Sequence, residues 1–388
     1  MRLFEGIRVL EIGGGIAADY ATKLFSDYGA EVIKIEPPTG DPVRRMVPFI
    51  GNEPDENGSA VFLHTNSSKK SVVLDLEDQS ARDSLLKLVA TADVVVESLK
   101  PGALAAMGLG FDDLVKVQPK LVMTSVTPFG QDGPYAQYEG SELIYYGMGG
   151  PMAGNGSEDD VPVKLGGYMS IYQTGNTAAT ATMAAVLVAE GQGEPTHIDI
   201  SGFETGLSSS DRRSTFLLAH AYNGEVTGRG NVLGGILPNG AFPTEDGYVQ
   251  TVVTQAWLPR MLSALADEDL NAYFAKVAQN PAMFATIETK EAIDAALYPW
   301  LLSRTKQQAM EDAQSHKWPL TAIKTPAEVI EDPHYKQREF FTEVSHPVGT
   351  VVHPGAPFEI AAGWEPTSAP RLGEHTDAVL STLPADSL

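Results

Sequence analysis

Residues 9–36 read VLEIGGGIAADYATKLFSDYGAEVIKIE, and no other stretch restricts the fold of this chain so much. An apolar run meets a glycine turn. An amphipathic segment comes next, with Tyr20, Leu24 and Tyr28 on one face, and then a second apolar run. The change of period from two to 3.6 and back predicts a strand, a helix over 17–28 and a second strand. Gly13-x-Gly15-x-x-Ala18 fits the dinucleotide fingerprint. Glu36 ends the second strand 18 residues after Ala18, where a ribose-binding carboxylate would stand. The residues beyond Glu36 oppose a NAD site. Glu36 runs into Pro37-Pro38 and then into GDPVRR, whose Arg44 and Arg45 suit a phosphate better than a ribose diol.

The same alternation continues. SVVLDL (71–76), DVVVES (93–98), LVMTSVTPFG (121–130) and HIDIS (197–201) read as strands, and residues 79–91, 175–190 and 203–222 as helices. Asp78 stands where it can N-cap the 79–91 helix, and Gly175 opens an Ala- and Thr-rich helix suited to close packing. Strands alternating with helices predict an α/β fold with a Rossmann-like, doubly wound parallel sheet. From about 225 the chain becomes rich in Gly, Pro and Asn, then gives a strand at 248–254 and helical segments near 258–275 and 288–316. The expected organisation is a large domain over 1–225, completed by a turn-rich 335–388, and a smaller α+β domain over 226–334.

Composition narrows the chemistry. The 388 residues include no Cys, which excludes disulfides, thiolate metal sites and cysteine nucleophiles. A net charge of −23 opposes nucleic-acid binding but permits an anionic small ligand held by backbone N–H groups and a few lysines. MRLFEGIRVLEI reads as a strand entry rather than a signal peptide, and no apolar run approaches the roughly 18 residues of a membrane helix. The expectation is a cytoplasmic protein. The eight His form no metal-ligand spacing, so no metal site is expected, and Ser208-Ser209-Ser210-Asp211 lacks the G-x-S-x-G elbow of a serine nucleophile.

Three loops at the carboxyl ends of strands, after residues 12, 36 and 97, are expected to converge on one crevice. Lys69 and Lys70, just before the third strand, and the Ser98-Leu99-Lys100-Pro101-Gly102 turn after the fourth are candidates to face it.

Six segments in this order resemble the class III CoA-transferases, the CaiB/BaiF family: LFEGIRVLE (3–11), FSDYGAEVIKIEPPTGDPVR (25–44), NSSKKSVVLDL (66–76), ADVVVESLKPGALAAMGLG (92–110), PKLVMTSVTPFGQDGPY (119–135) and LGEHTDAVL (372–380). The resemblance implies two domains joined by long linkers and two subunits interlocked like rings. It implies acyl-CoA and a carboxylic acid as substrates, with no covalently bound cofactor. It places coenzyme A against Gly14, Gly15, Ile16, Ala17 and Ala18, with Arg44, Lys69, Ser98, Leu99 and Lys100 as further contacts. It also implies an aspartate that attacks the thioester carbonyl, four residues before a glycine that opens an Ala-rich helix. Here that glycine is Gly175, and Ile171 holds the aspartate's position. There are further departures. Ser98-Leu99 replaces the usual asparagine–aromatic pair, Pro37 replaces an arginine, and Ser141 followed by Glu142 replaces the histidine of the racemase branch. No Asp or Glu lies between Pro162 and Glu190, and Glu142 and Asp160 are the carboxylates nearest in sequence. The resemblance leaves three readings open. The chain is a subunit of a heteromer whose homologous partner carries the aspartate, a homodimer with altered chemistry through Glu142, Tyr168 or Tyr172, or a non-catalytic acyl-CoA binding protein.

Overall fold

The computed structural model describes residues 2–156, 160–208, 212–226, 237–358, 360 and 363–384. Ser209, Ser210 and Asp211 of the serine run and most of the glycine-rich stretch after 225 lie outside the described residues. Two compact units are formed, Met1–Gly228 with Glu339–Leu388, and Arg229–Arg338.

The first unit is built on a six-stranded parallel sheet. Its strands are β1 (Arg8–Ile12), β2 (Glu31–Glu36), β3 (Lys70–Val73), β4 (Val94–Glu97), β5 (Val122–Thr127) and β6 (Thr196–Ser201), in the order β3-β2-β1-β4-β5-β6. Leu10 pairs with Ile33 on one side and Val95 on the other. The strands are apolar on both faces because helices cover both. On one face α3 (Gln79–Val89) packs Leu85, Leu88 and Val89 against Leu10, Ile33 and Val95. On the other, α1 (Ile16–Asp27) and the long α7 (Met169–Gln192) pack against Val9, Val32 and Val96. Helices α1 and α7 cross closely at Gly175, where a Cβ would stand 2.7 Å from the carbonyl oxygen of Ala17. The shorter helices are α2 (Ala60–Thr65), α4 (Ala103–Ala106), α5 (Phe111–Val117), α6 (Glu142–Met148), α8 (Gly202–Ser208) and α9 (Arg212–Asn223).

The structure departs from the sequence expectations in places. The third strand stops at Val73, not Leu76, because its sole partner β2 ends at Glu36 opposite Val73 and turns away at Pro37-Pro38. α7 begins at Met169, six residues before Gly175. The stretch read as one helix at 203–222 is the pair α8 and α9. The turn-rich tail contains a hairpin, β10 (Phe341–His346) with β11 (Gly349–Pro354), and a last short helix α16 (Thr376–Leu380). The tail covers the open edge of β3: Gly373 N donates to Ser71 Oγ at 2.9 Å, and Val73 N to Thr376 Oγ1 at 3.0 Å.

The second unit has an antiparallel sheet of β7 (Asn239–Pro243), β8 (Tyr248–Val252) and β9 (Leu320–Ala322). Around it lie α10 (Leu258–Leu265), α11 (Glu268–Gln279), α12 (Ile287–Leu302), α13 (Lys306–Ser315), α14 (Pro326–Ile330) and α15 (Pro333–Gln337). The helical stretches read at 258–275 and 288–316 are each split. Ala266 takes a left-handed conformation before the N-cap Asp267, and Thr305 with Gln308 forms a capping box. Val249, Met261, Ile293, Leu297, Leu301 and Trp318 form its core. Among the described residues no helix is long and apolar enough to cross a membrane.

Candidate functional site

The glycine turn between β1 and α1 depends on its glycines. Gly13 and Gly15 both have φ of 101°, a region that disfavours any side chain. A Cβ on Gly14 would lie 2.5 Å from Asp41 Oδ2. The turn is tied to the end of β4, where Ser98 Oγ accepts from Gly14 N at 3.0 Å and donates to Gly14 O at 2.7 Å. Glu97, buried beside it, accepts from Leu99 N at 2.9 Å and so shapes the loop beyond the strand.

Under this turn lies a buried charge network. Lys34 Nζ stands 2.5 Å from Glu11 Oε1, 2.7 Å from Asp19 Oδ1 and 2.5 Å from Asp41 Oδ2, with every one of these side chains fully enclosed. Glu11, Asp19 and Asp41 are the one group of acids among the described residues close enough to share a metal ion, and the Lys34 ammonium holds the cation's place. Burial, reinforced by Asp41, pushes the Asp19 carboxyl well above its ordinary range. Burial would raise Glu11 too, but Lys34 and Lys69 outweigh it and hold Glu11 well below.

This network corrects two sequence expectations. Lys69 does not face the crevice, because its Nζ donates at 2.8 Å to each of Glu11 Oε2, the Asp19 carbonyl and Asn66 Oδ1, and those bonds use all three of its protons. Arg44 is 1% exposed, grips Glu36 through Nε and Nη2 at 2.7 Å each, and lies 3.8 Å over the Phe62 ring. Glu36 also accepts from Ser71 Oγ at 2.6 Å and from Asp41 N at 2.9 Å, so its oxygens are filled and no ribose hydroxyl can be added. The side chains of Ile16 and Ala18 pack in apolar clusters.

Above the network, the carboxyl ends of β1 to β4 enclose a cavity of about 460 Å³. The loops after residues 12, 36 and 97 meet there, and Gly14, Ser98, Leu99 and Lys100 line it. Its walls are mainly apolar, among them Ile12, Ile35, Leu74, Leu99 and Met107. The Asp75-Leu76-Glu77 turn closes one end, and sequence reasoning missed it by extending the third strand through Leu76. A smaller cavity of about 150 Å³ lies along Ser98, Leu99, Lys100 and Pro101, bordered also by Pro128 and Tyr138. The sheet order changes direction between β1 and β4, which is where such sheets bind ligands.

Ile171 lies in the first turn of α7 and packs in an apolar cluster with Ile16, Val43, Phe62 and Leu63. Glu142, at the start of α6, accepts from Ser170 N at 3.1 Å and from Ile171 N at 3.0 Å. It thus serves a helix start, as its position suggests, but that of α7. Removing this cap by Glu142→Ala is expected to cost about 1–2 kcal/mol, read as a lower thermal unfolding midpoint. A variant as stable as the parent would refute the capping role. Tyr172, held edge-on to Tyr20 with ring centroids 4.8 Å apart, is pushed up to about 12 by burial, and Tyr20 and Asp19 add to the shift. A phenol so reluctant to ionise is a poor base at neutral pH.

Beside Tyr172 lies a group of neutral histidines. Ala369 N points at His346 Nδ1 from 3.3 Å, so the ring proton sits on Nε2 and is donated to His353 Nε2 at 3.0 Å. His64 stacks 6.0 Å from His353, and its Nδ1 is buried without a hydrogen-bond partner. Burial pushes His64 down to about 3 and His353 to about 4.

Comparison with known proteins agrees with this geometry. Residues 4–376 match the sequence model of CoA-transferase family III. The chain is 32% identical to succinate–glutarate CoA-transferase of Agrobacterium fabrum, over 98% of this chain and 95% of that protein. It is 29% identical to the subunit BbsE of succinyl-CoA:(R)-benzylsuccinate CoA-transferase of Thauera aromatica, over 97% of this chain and 93% of that one. Its fold matches the crystal structure of a CaiB/BaiF family protein from Brucella suis with a TM-score of 0.82 and 26% identity, over 99% of this chain and 100% of the other. A chain that carries the glycine turn, the parallel sheet and the cavity at its switch point, and that matches over nearly its whole length, belongs to CoA-transferase family III.

Proposed function

We propose that this chain is the non-nucleophilic subunit of a cytoplasmic, heteromeric CoA-transferase that moves CoA between an acyl-CoA donor and a carboxylic acid. A homologous chain, interlocked with this one, supplies the attacking aspartate. The observation that carries the reading is Ile171. Where the family resemblance calls for a carboxylate nucleophile, this chain has a hydrocarbon side chain packed among Ile16, Val43 and Phe62. The nearby alternatives are already engaged, Glu142 with the N–H groups of α7 and Tyr172 in an un-ionised, half-buried state. The relative BbsE is itself named as a subunit, which supports the same assignment.

The two cavities fit the CoA half of the reaction. A long ligand can lie across the Ser98-Leu99-Lys100 turn, one end in the larger cavity and the other in the smaller. The test is an exchange assay with succinyl-CoA and a panel of dicarboxylic acids. The purified chain alone is expected to transfer no CoA, and a homologous chain with aspartate at the position of Ile171, co-purified from the native host, is expected to restore transfer. Turnover by the isolated chain would overturn the proposal.

A further inference from the structure

We propose that the larger cavity holds the nucleotide end of a CoA thioester without recognising the phosphate on its ribose, so that dephospho-CoA binds at least as tightly as CoA. The inference rests on the CoA reading above and deepens it.

The charged side chains lining the cavity are Glu36, Asp75, Glu77 and Lys100. Glu36 is filled by Arg44, Ser71 and the backbone of Asp41. Arg44, Lys69, Arg45 and Arg82 do not line the cavity, and each is held by other groups. Arg44 and Lys69 are locked into the buried network. Arg45 donates to Thr39 O at 2.8 Å. Arg82 donates to the carbonyls of Leu76 and Glu77 at 2.7 and 2.9 Å, and to Gln79 Oε1 at 2.8 Å. Lys100 remains, 74% exposed and paired only with an equally exposed Glu139 at 2.6 Å. Such a pair is weak enough to be exchanged for a ligand phosphate.

Position then decides which phosphate that is. In a doubly wound sheet the pyrophosphate lies at the glycine turn after the first strand, and the ribose lies toward the second strand and beyond. Lys100 comes after β4, on the glycine-turn side. Asp75 and Glu77 come after β3, three strands away in the order β3-β2-β1-β4, or roughly 14 Å. The pyrophosphate therefore meets the ammonium, while the ribose end meets two carboxylates. Ribose hydroxyls can donate to carboxylates, whereas a phosphate dianion there faces the like charge of Asp75 and Glu77, and no lysine or arginine lines the cavity at that end.

Titration calorimetry of the full chain with CoA and with dephospho-CoA, at neutral pH and low salt, tests this. Dephospho-CoA is expected to bind equally well or up to about tenfold more tightly, and Glu77→Lys at the exposed rim to shift the ratio of the two affinities toward CoA by about tenfold. Tighter binding of CoA by the parent chain would overturn the inference while leaving the CoA reading intact, and an unchanged ratio in Glu77→Lys would do the same. Binding of neither compound would overturn both.

Discussion

Lys34→Met is expected to yield little or no folded protein. The methionine keeps most of the lysine's apolar stem but lacks the ammonium, so the charge and its hydrogen bonds are lost with only a small change in packing. Lys34 is the shared partner of Glu11, Asp19 and Asp41, and none of the four side chains reaches water. Removing one member of a buried ion pair costs about 3–5 kcal/mol, because the remaining charge keeps its desolvation penalty and loses its compensation. That is a large share of a total stability of roughly 5–15 kcal/mol. The carboxyls can relieve part of the loss by binding protons, so Lys34→Met is expected to be less unstable at mildly acidic pH than at neutral pH. The double change Lys34→Met with Asp41→Asn is expected to recover part of the stability, since the amide oxygen can still accept from Val43 N as Asp41 Oδ1 does at 2.7 Å. Soluble yield and thermal unfolding followed by circular dichroism measure both. A Lys34→Met protein that melts within a few degrees of the parent would show that the network contributes little.

The second large effect is on acid stability. His64 titrates at about 3 when folded, far below the ordinary histidine value. The unfolded chain therefore takes the proton first. The stability this histidine contributes is complete above about pH 6.5 and falls continuously toward pH 3, at about 1.4 kcal/mol per pH unit. His353 and His346, also depressed by burial, act in the same direction. Asp19 and Glu97, which burial raises, act in the opposite one. Comparing His64→Phe with the parent cancels these other groups. The phenyl ring preserves the stacking beside Tyr20, Tyr172 and His353 and removes a buried nitrogen that has no partner. Unfolding free energies at several values between pH 7 and pH 5 are expected to fall less in the variant, by about 2 kcal/mol over the range below pH 6.5. Parallel curves for the two proteins would contradict this account of His64.

What could be read from the sequence came from local rules. Alternating apolar runs and amphipathic stretches gave the parallel sheet, and Gly13 and Gly15 marked positions that require positive φ. The convergence of the loops after residues 12, 36 and 97 was legible because the carboxyl ends of parallel strands all emerge at one edge. The fate of Lys69 and Arg44 was not. Each sits in a polar loop that looks like surface, and each is drawn inward by a carboxylate, Lys69 by Glu11 far back in the sequence and Arg44 by Glu36 across the intervening turn. Nothing local distinguishes a buried ion pair from a solvated one when its partner lies 58 residues away. The end of β3 was missed for a related reason, since Leu74-Asp75-Leu76 alternates apolar and polar as a strand does, and only the length of the neighbouring strand stops the pairing.

The hold of Glu142 on the start of α7 also bears on what residue 171 can be. The carboxylate grips the main chain of Ser170 and Ile171 and is indifferent to the side chain at 171. The backbone there is fixed by another helix, so the identity of that residue is uncoupled from the shape of the fold. The side chain at this point can therefore change while the start of the helix keeps its anchor. The fold tolerates variation at 171 because its local shape is underwritten by a residue 29 positions earlier.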